Sequence, residues 1–220
     1  MIIKLKRFKS VFDLNLNSAR LNKIERYNFK IAIIDDEDFY YKEQLSRLGF
    51  NITKYDDIED LNMLSSYDLI ISDIKGVGKH FDSEFEGAFL LSELKKKYPY
   101  KSFAAYTGSA FDPRISELLT GIQVIKKDYS IDEWTNAIES LIKNVADPKQ
   151  IWIKIRRDLL EMDVSLLQLT YMEDEFVDRV INNKGFNGFP SNRELNTIPS
   201  EAKSWLCNIA TSVFTKLLLS

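Results

Sequence analysis

The sequence predicts an α/β fold, namely a doubly wound five-stranded parallel sheet with an N-terminal extension and a C-terminal α-helical region. Two observations lead to this prediction. Short apolar runs rich in β-branched residues alternate with stretches whose apolar residues recur at helical spacing, and the connections between them are short. Such alternation is typical of parallel sheets whose strands are buried on both faces.

Five strands are predicted, and polar residues follow most of them. The first has the sequence KIAII and stops at the acidic pair Asp35-Asp36, and the third ends on Asp73. The predicted strands are 30–34, 51–55, 69–73, 102–107 and 122–125. We expect them to lie in one buried sheet.

Five helices are predicted to follow these strands. Each carries apolar residues three or four positions apart, Gly49 and Pro99 end the first and third, and Pro113 suits a first helical turn. The predicted helices are 38–48, 58–65, 87–97, 113–120 and 131–144. They complete five strand–helix units with short connections.

Helical spacing continues after residue 148. One long helix or two consecutive helices are predicted over 148–183, and a last helix begins at residue 199. Two neighbouring apolar stripes favour a small helical bundle over a two-stranded coiled coil. We expect Glu173-Asp174-Glu175 to lie on a solvated helix face.

The first 28 residues are too apolar for a free tail. We expect them to pack against the C-terminal helices or against a second subunit. The predicted domains are therefore an N-terminal extension over 1–28, an α/β domain over 29–147 and a helical output or interaction region over 148–220.

Charge is distributed unevenly along the chain. The formal net charge of −3 combines +5 over residues 1–29, −7 over 30–149 and −1 over 150–220. Phosphate binding needs clustered Lys and Arg, so the acidic central part is a poor nucleic-acid surface. The basic N-terminus could bind an anionic partner or pack on acidic residues of the same chain.

The sequence lacks the features of secreted and membrane proteins. The start, MIIKLKRFKS, has charges where a secretory signal has its apolar stretch, and no apolar run reaches the roughly 18 residues that span a bilayer. The single cysteine, Cys207, excludes an internal disulfide, and the single histidine, His80, leaves little for a zinc site. We expect a soluble cytoplasmic protein without a membrane partner.

Polar residues at four of the five strand ends are expected to form a site. In doubly wound sheets, functional groups gather beyond the carboxyl ends of the strands. These residues are Asp35, Asp36, Asp73, Thr107, Lys126 and Lys127. An aspartate at a strand end is also a common helix cap, but four such ends favour a site. Clustered carboxylates need a cation, oxygen ligands suit Mg²⁺, and a lysine with a hydroxyl suits a phosphoryl group.

Residues 30–146, a little over half of the chain, resemble the receiver domain of two-component response regulators. Four motifs carry this resemblance. They are Ile33-Ile34-Asp35-Asp36-Glu37, Leu69-Ile70-Ile71-Ser72-Asp73-Ile74, Tyr106-Thr107-Gly108 and Val124-Ile125-Lys126-Lys127-Asp128. Each motif alone is weak, but all four in the right order are specific.

The resemblance implies a flavodoxin-like receiver fold and a Mg²⁺-dependent phosphorylation site. Asp73 would accept a phosphoryl group from a histidine kinase or phosphotransfer protein. Asp36 would hold Mg²⁺ with the support of Asp35, and Asp73 together with the backbone carbonyl of Lys75 would complete the protein ligands.

The resemblance also implies roles for the last two strand ends. Thr107 would bind the phosphoryl group and move with it, and Lys127 would pair with a phosphoryl oxygen. Lys127 is preferred over Lys126 because Lys-Asp is a familiar form of this motif, and strand alternation would point Lys126 away.

The chain departs from the receiver pattern after the phospho-accepting position. Lys75-Gly76-Val77-Gly78 replaces the frequent Met-Pro, and the loop over 75–86 is longer than usual. This loop could gate the site, contact a partner or be a tolerated insertion. Val124 occupies the usual position of an aromatic switch. A haloacid-dehalogenase-like phosphatase is disfavoured because the acidic pair is not Asp-x-Asp and no strand follows the lysine strand.

The expected function is that of a response regulator with output through protein–protein interaction or dimerisation of the helical region. It would not be an enzyme beyond assisting its own phosphorylation and dephosphorylation. One alternative is a transcription regulator with a divergent DNA-binding tail, although nucleic acid is not the expected partner. The other is a receiver-like interaction module that does not use phosphorylation.

Overall fold

The computed structural model describes residues 7–14, 25–81, 83–108, 112–191 and 198–217, with side chains up to residue 208. The chain divides into two compact units. The first, Glu25–Val145, contains the sheet, and the second consists of the described parts of Met1–Ile24 and Ala146–Ser220. We call the second the helical unit. The predicted domain boundaries at 28/29 and 147/148 stay a prediction.

The first unit is built on a five-stranded parallel sheet of order β2-β1-β3-β4-β5. Its strands are β1 (Lys30–Ile34), β2 (Asn51–Tyr55), β3 (Leu69–Asp73), β4 (Ser102–Thr107) and β5 (Gln123–Lys126). This order reverses between β1 and β3, which is where doubly wound sheets bind their ligands. The predicted fold class is therefore confirmed.

Two of the four α-helices described in this unit have only six residues. The four are α1 (Lys42–Arg47), α2 (Glu86–Lys97), α3 (Pro113–Leu118) and α4 (Ile131–Ala146), with 3-10 turns at Arg26–Asn28, Leu61–Leu64 and Lys79–Phe81. Helix α1 begins later than predicted, after a turn in which the Lys42 N–H donates to the Phe39 carbonyl at 3.1 Å. The predicted helix 58–65 is only a 3-10 turn, whose start is capped by the Asp60 side chain.

The strand side chains alternate between two buried faces. On one face, Ile70 and Phe103 belong to the same buried cluster as Leu90, Leu91 and Leu94 of α2. The other face packs on α4, where Trp134 is 1% exposed and contacts the ring of Tyr106 on β4. Burial on both faces is what the apolar sequences of the central strands predicted, and the edge strands β2 and β5 are more exposed.

The helical unit contains α5 (Pro148–Glu161), α6 (Leu166–Ile181) and α7 (Ser200–Leu217). Two helices rather than one therefore occupy 148–183. The break between them includes Asp163 at φ +60°, and Ser165 starts α6 with a capping box. Trp152 of α5 stacks on Phe176 of α6 with ring centroids 5.1 Å apart.

Residues 7–13, the N-terminal segment, contact an acidic face of α6. The Lys9 N–H donates to Asp174 Oδ1 at 2.8 Å, and the Ser10 hydroxyl donates to Glu173 Oε1 at 2.6 Å. Asp174 is buried, so the expectation of a solvated acidic face is wrong here. The reason is that backbone and hydroxyl donors of the N-terminal segment cover these carboxylates.

None of the helices among the described residues has both the length and the apolar character that a membrane crossing requires.

Candidate functional site

Three carboxylates lie together at the ends of the two central strands. Asp35 and Asp36 directly follow β1, and Asp73 is the last residue of β3. One carboxylate oxygen of each lies within 4.8 Å of those of the other two, and we call these residues the carboxylate cluster. Asp35 and Asp73 are buried and Asp36 is exposed. Three carboxylates this close repel one another unless cations or donors compensate them.

Asp73 is held by a lysine and by the backbone. Lys127 Nζ donates to Asp73 Oδ2 at 2.5 Å, and the N–H of Ile74 donates to Asp73 Oδ1 at 2.6 Å. Burial lowers the pKa of Lys127, but the hydrogen bond and charge of Asp73, with the charges of Asp35 and Glu37, raise it above its ordinary value. Lys127 is therefore an ammonium at neutral pH, aimed at the carboxylate that the sequence predicts to be phosphorylated.

The adjacent strands fix Lys127 beside Thr107. The Lys127 N–H donates to the Thr107 carbonyl at 2.9 Å, and Thr107 pairs with Lys126 in the β4–β5 ladder. Lys126 is exposed. Of the two candidate lysines, the structure brings Lys127 to Asp73.

Asp35 receives donors on both oxygens. The hydroxyl of Tyr106, a residue that is 2% exposed, donates to Asp35 Oδ2, and the N–H of Glu37 donates to Oδ1 at 3.0 Å. Burial, then the hydrogen bond to Asp35, then the charges of the carboxylate cluster raise the pKa of Tyr106. Its hydroxyl therefore keeps its proton and acts as a donor.

Asp36 lies against the loop that follows β3. Gly76 has φ +77°, and a Cβ at this position would overlap the Asp36 carboxylate. A residue other than glycine would thus strain the backbone and collide with a carboxylate of the cluster. Lys79 Nζ lies 3.5 Å from Asp36 Oδ2 at the exposed rim.

Two acidic side chains tie the loop over 75–86 to the rest of the unit. The Gly76 N–H donates to Glu86 Oε2 at 2.9 Å. Asp57 accepts from the Gly78 N–H at 2.6 Å and from the Lys79 N–H at 3.1 Å. The described part of this loop is thus held by specific contacts.

The donor set fits a divalent cation. It consists of carboxylate oxygens, which Mg²⁺ prefers, and the glycine at position 76 leaves room for the exposed carboxylate of Asp36. The three negative charges of the cluster meet two ammonium groups. Lys127 pairs with the buried Asp73, and Lys79 lies near the exposed Asp36. An additional cation would complete the compensation.

Comparisons with known proteins concern the fold. No family model and no curated protein matches the sequence. Among solved structures, the chain is similar to the signal receiver domain of an HD domain-containing protein from Pseudomonas fluorescens Pf-5 (20% identity, TM-score 0.44, 53% of this chain and 95% of that chain). It is also similar to full-length FixJ from B. japonicum (20% identity, TM-score 0.45, 87% of this chain and 94% of that chain). A third similar structure is a response regulator receiver domain protein from Clostridium thermocellum (24% identity, TM-score 0.43, 53% of this chain and 95% of that chain).

The strand order β2-β1-β3-β4-β5, with its switch point between β1 and β3, is the arrangement that receivers share with flavodoxin. Residues 25–145 have the receiver fold. The predicted resemblance is thereby confirmed at the level of fold, and we refer to Glu25–Val145 as the receiver unit.

Within the receiver unit, the strand-end residues predicted from the sequence meet at one edge. Ligation by the Lys75 carbonyl stays a prediction; its N–H lies 3.4 Å from Asp73 Oδ1. Val124 is partly exposed on β5. Sequence reasoning missed the contacts of Tyr106 and Gly76. Tyr106 pairs with Asp73 in the β3–β4 ladder, and Gly76 follows that aspartate by three residues, but neither contact can be read from the sequence alone.

Proposed function

We propose that the protein is a two-component response regulator whose receiver unit accepts a phosphoryl group on Asp73. The observation that supports this most directly is the hydrogen bond from Lys127 to Asp73 within a cluster of three carboxylates. The donor would be a phosphohistidine on a histidine kinase or on a phosphotransfer protein. A cytoplasmic location is part of the proposal.

In the proposed reaction, a carboxylate oxygen of Asp73 attacks the phosphorus atom of the phosphohistidine. The P–O bond forms as the P–N bond breaks, and the electron pair of that bond stays on the imidazole nitrogen. Hydrogen bonds from the Ile74 N–H and from Lys127 orient the Asp73 carboxylate beforehand. The product is an aspartyl phosphate, which water hydrolyses to reset the site.

Lys127 and Thr107 would bind the transferred group. The ammonium of Lys127 would pass from Asp73 to a phosphoryl oxygen, and the Thr107 hydroxyl would donate to another. Mg²⁺ held by the carboxylate cluster, with the Lys75 carbonyl as a further ligand, would offset the negative charge of the phosphoryl oxygens. No enzymatic activity beyond phosphorylation and dephosphorylation of this site is proposed.

The helical unit would supply the output by binding a protein partner or by self-association. Residues 150–220 carry a balance of only −1, with eight Lys and Arg spread over their length. Nucleic-acid binding requires clustered positive charge, so a protein surface is the better partner for such a unit.

Phosphorylation is tested by incubating the full chain with Mg²⁺ and a small-molecule phosphodonor, and by recording the intact mass. We expect the gain of one phosphoryl group in the wild type and none in Asp73→Asn. The matched control is Asp132→Asn, an exposed aspartate in the first turn of α4, which should be phosphorylated like the wild type.

Absence of the mass gain in the wild type would overturn the proposal. Equal binding of a protein partner by wild type and Asp73→Asn, with or without phosphodonor, would then favour a phosphorylation-independent interaction module. A salt-dependent shift of duplex DNA would favour the transcription regulator instead.

A further inference from the structure

The side chain of Tyr106 joins the carboxylate cluster to buried aromatic rings. Its ring makes edge contacts with Phe39 and Trp134, at centroid distances of 5.9 and 5.6 Å, and these two rings lie 5.0 Å from each other. We call Phe39, Tyr106 and Trp134 the aromatic group. All three residues are buried, so the packing fixes where the Tyr106 hydroxyl points.

The hydroxyl points at Asp35, a carboxylate with little access to water. Asp35 is 3% exposed, and its two oxygens accept from the Tyr106 hydroxyl and the Glu37 N–H. A buried charge is costly unless it is hydrogen-bonded, and at this depth water cannot replace a lost donor. The orientation of Asp35 therefore depends on Tyr106.

We propose that Tyr106 is a positioning residue for cation binding by the carboxylate cluster. Its hydroxyl holds Asp35 so that an oxygen of this side chain stays within 4.8 Å of those of Asp36 and Asp73. A carboxylate offers about four lone-pair sites, so it can accept this hydrogen bond and ligate a cation at once. The inference rests on the proposed function, because it concerns the Mg²⁺ that the function requires.

Replacing Tyr106 by phenylalanine removes only the hydroxyl. The ring contacts with Phe39 and Trp134 remain, but Asp35 Oδ2 loses its donor and the carboxylate keeps only the hydrogen bond from the Glu37 N–H to Oδ1. Loss of a hydrogen-bond partner of a metal ligand commonly weakens metal binding by roughly 10- to 100-fold. If the hydroxyl instead competed with the cation for Asp35, its removal would tighten binding.

Mg²⁺ titration by calorimetry separates these outcomes, using the full-length wild type, Tyr106→Phe and Tyr98→Phe. Tyr98 is the matched control, because it is another buried tyrosine whose hydroxyl donates, here to Asn62 at 3.3 Å, but it lies before β4 rather than at its end. We expect the Kd for Mg²⁺ to rise at least about 10-fold in Tyr106→Phe and to stay unchanged in Tyr98→Phe.

A Kd within twofold of the wild type, or a lower one, in Tyr106→Phe would overturn the positioning role while leaving the proposed function intact. No binding of millimolar Mg²⁺ by the wild type would instead overturn the proposed function and this inference with it. The two failures are therefore distinguishable.

A measurement on the wild type does not depend on how the variant folds. With ¹³C at the Cζ atom of tyrosine, the Tyr106 signal should shift during the Mg²⁺ titration with the calorimetric Kd, and the Tyr98 signal should not. A Tyr106 signal that stays fixed while Mg²⁺ binds would overturn the inference.

Discussion

The receiver unit and the helical unit each hold three neighbouring acidic side chains, which the fold compensates in different ways. In the carboxylate cluster, the acids face one another within 4.8 Å. On α6, each acid instead meets donors from elsewhere in its unit. Glu173 accepts from Ser10 and Val11, Asp174 from the Lys9 N–H, and Asp178 from the ammonium groups of Lys9 and Lys184.

This difference distinguishes a site from a structural contact. Acids on one helix face lie apart from one another, so a short chain segment can donate a hydrogen bond to each of them. Acids at the ends of adjacent parallel strands converge on one point, where their mutual repulsion favours the binding of a cation. Both groups consist of carboxylates, and their geometry is what differs.

The largest expected effect tests whether the glycine at position 76 is needed to place Asp36 for cation binding. In Gly76→Ala, the new Cβ would overlap the Asp36 carboxylate and displace it. We expect the Kd for Mg²⁺ to rise about 100-fold, the upper end of what changes around metal ligands produce. Calorimetric titration of the full chain measures this effect.

Gly49→Ala is the matched control for backbone strain. Gly49 has φ +91°, also in the left-handed region, but a Cβ there would meet no atom within 4 Å. Both variants should lose about 1–2 kcal/mol of unfolding free energy, and only Gly76→Ala should lose Mg²⁺ affinity. Equal Mg²⁺ binding by the two variants would mean that the overlap with Asp36 has no consequence for the site.

The second effect tests whether the α6 acids are structural. Asp174→Ala removes the acceptor of the Lys9 N–H in a buried environment. An unsatisfied buried donor costs about 1–3 kcal/mol, so the unfolding free energy in urea should fall by that amount while the Kd for Mg²⁺ stays unchanged. Glu161→Ala, at the exposed end of α5, should change stability by less than about 0.5 kcal/mol. A loss of Mg²⁺ affinity in Asp174→Ala would break the distinction between the two groups.

The sequence predicts the sheet well because buried parallel strands have a simple signature. Four strands have the predicted bounds, and only β5 (Gln123–Lys126) is shifted by one residue. The helix predicted over 58–65 is only a 3-10 turn, Leu61–Leu64. Apolar spacing over eight residues does not specify which acceptor each N–H will reach, and here the side chains of Asp57 and Asp60 accept from the N–H groups of Ile58 and Asn62.

The carboxylate cluster could be predicted because the ends of parallel strands share an edge, so chain position alone brings Asp73 near Asp35 and Asp36. The supporting contacts could not. The close contact of Asp36 with Gly76 depends on the path of the loop after β3. The hydrogen bond from Tyr106 to Asp35 depends on how the Tyr106 ring packs between β4 and α4. Neither leaves a periodic pattern in the sequence.

The smallest effect concerns the acid response of the helical unit. Hydrogen bonds from Lys184 and Lys9 lower the pKa of Asp178 from 3.8 to about 2. Because the pKa in the folded state is below that of the unfolded chain, the ionised form stabilises the fold above pH 4, and this stability is lost as the pH falls toward 2. The Asp178 side chain is 32% exposed, so solvent screening reduces the contribution to about 1 kcal/mol.

Urea unfolding of wild type and Asp178→Asn over a pH series measures this contribution. We expect the wild type to be more stable by about 1 kcal/mol near pH 5, and this difference to shrink through pH 2 and vanish below it. A difference that stays constant over this range would show that the ion pairs with Lys9 and Lys184 contribute nothing, and that the N-terminal segment is held on α6 by its backbone hydrogen bonds. In that case the acids of α6 would differ from the carboxylate cluster in the neutral N–H and hydroxyl donors that they meet, and not in their ammonium partners.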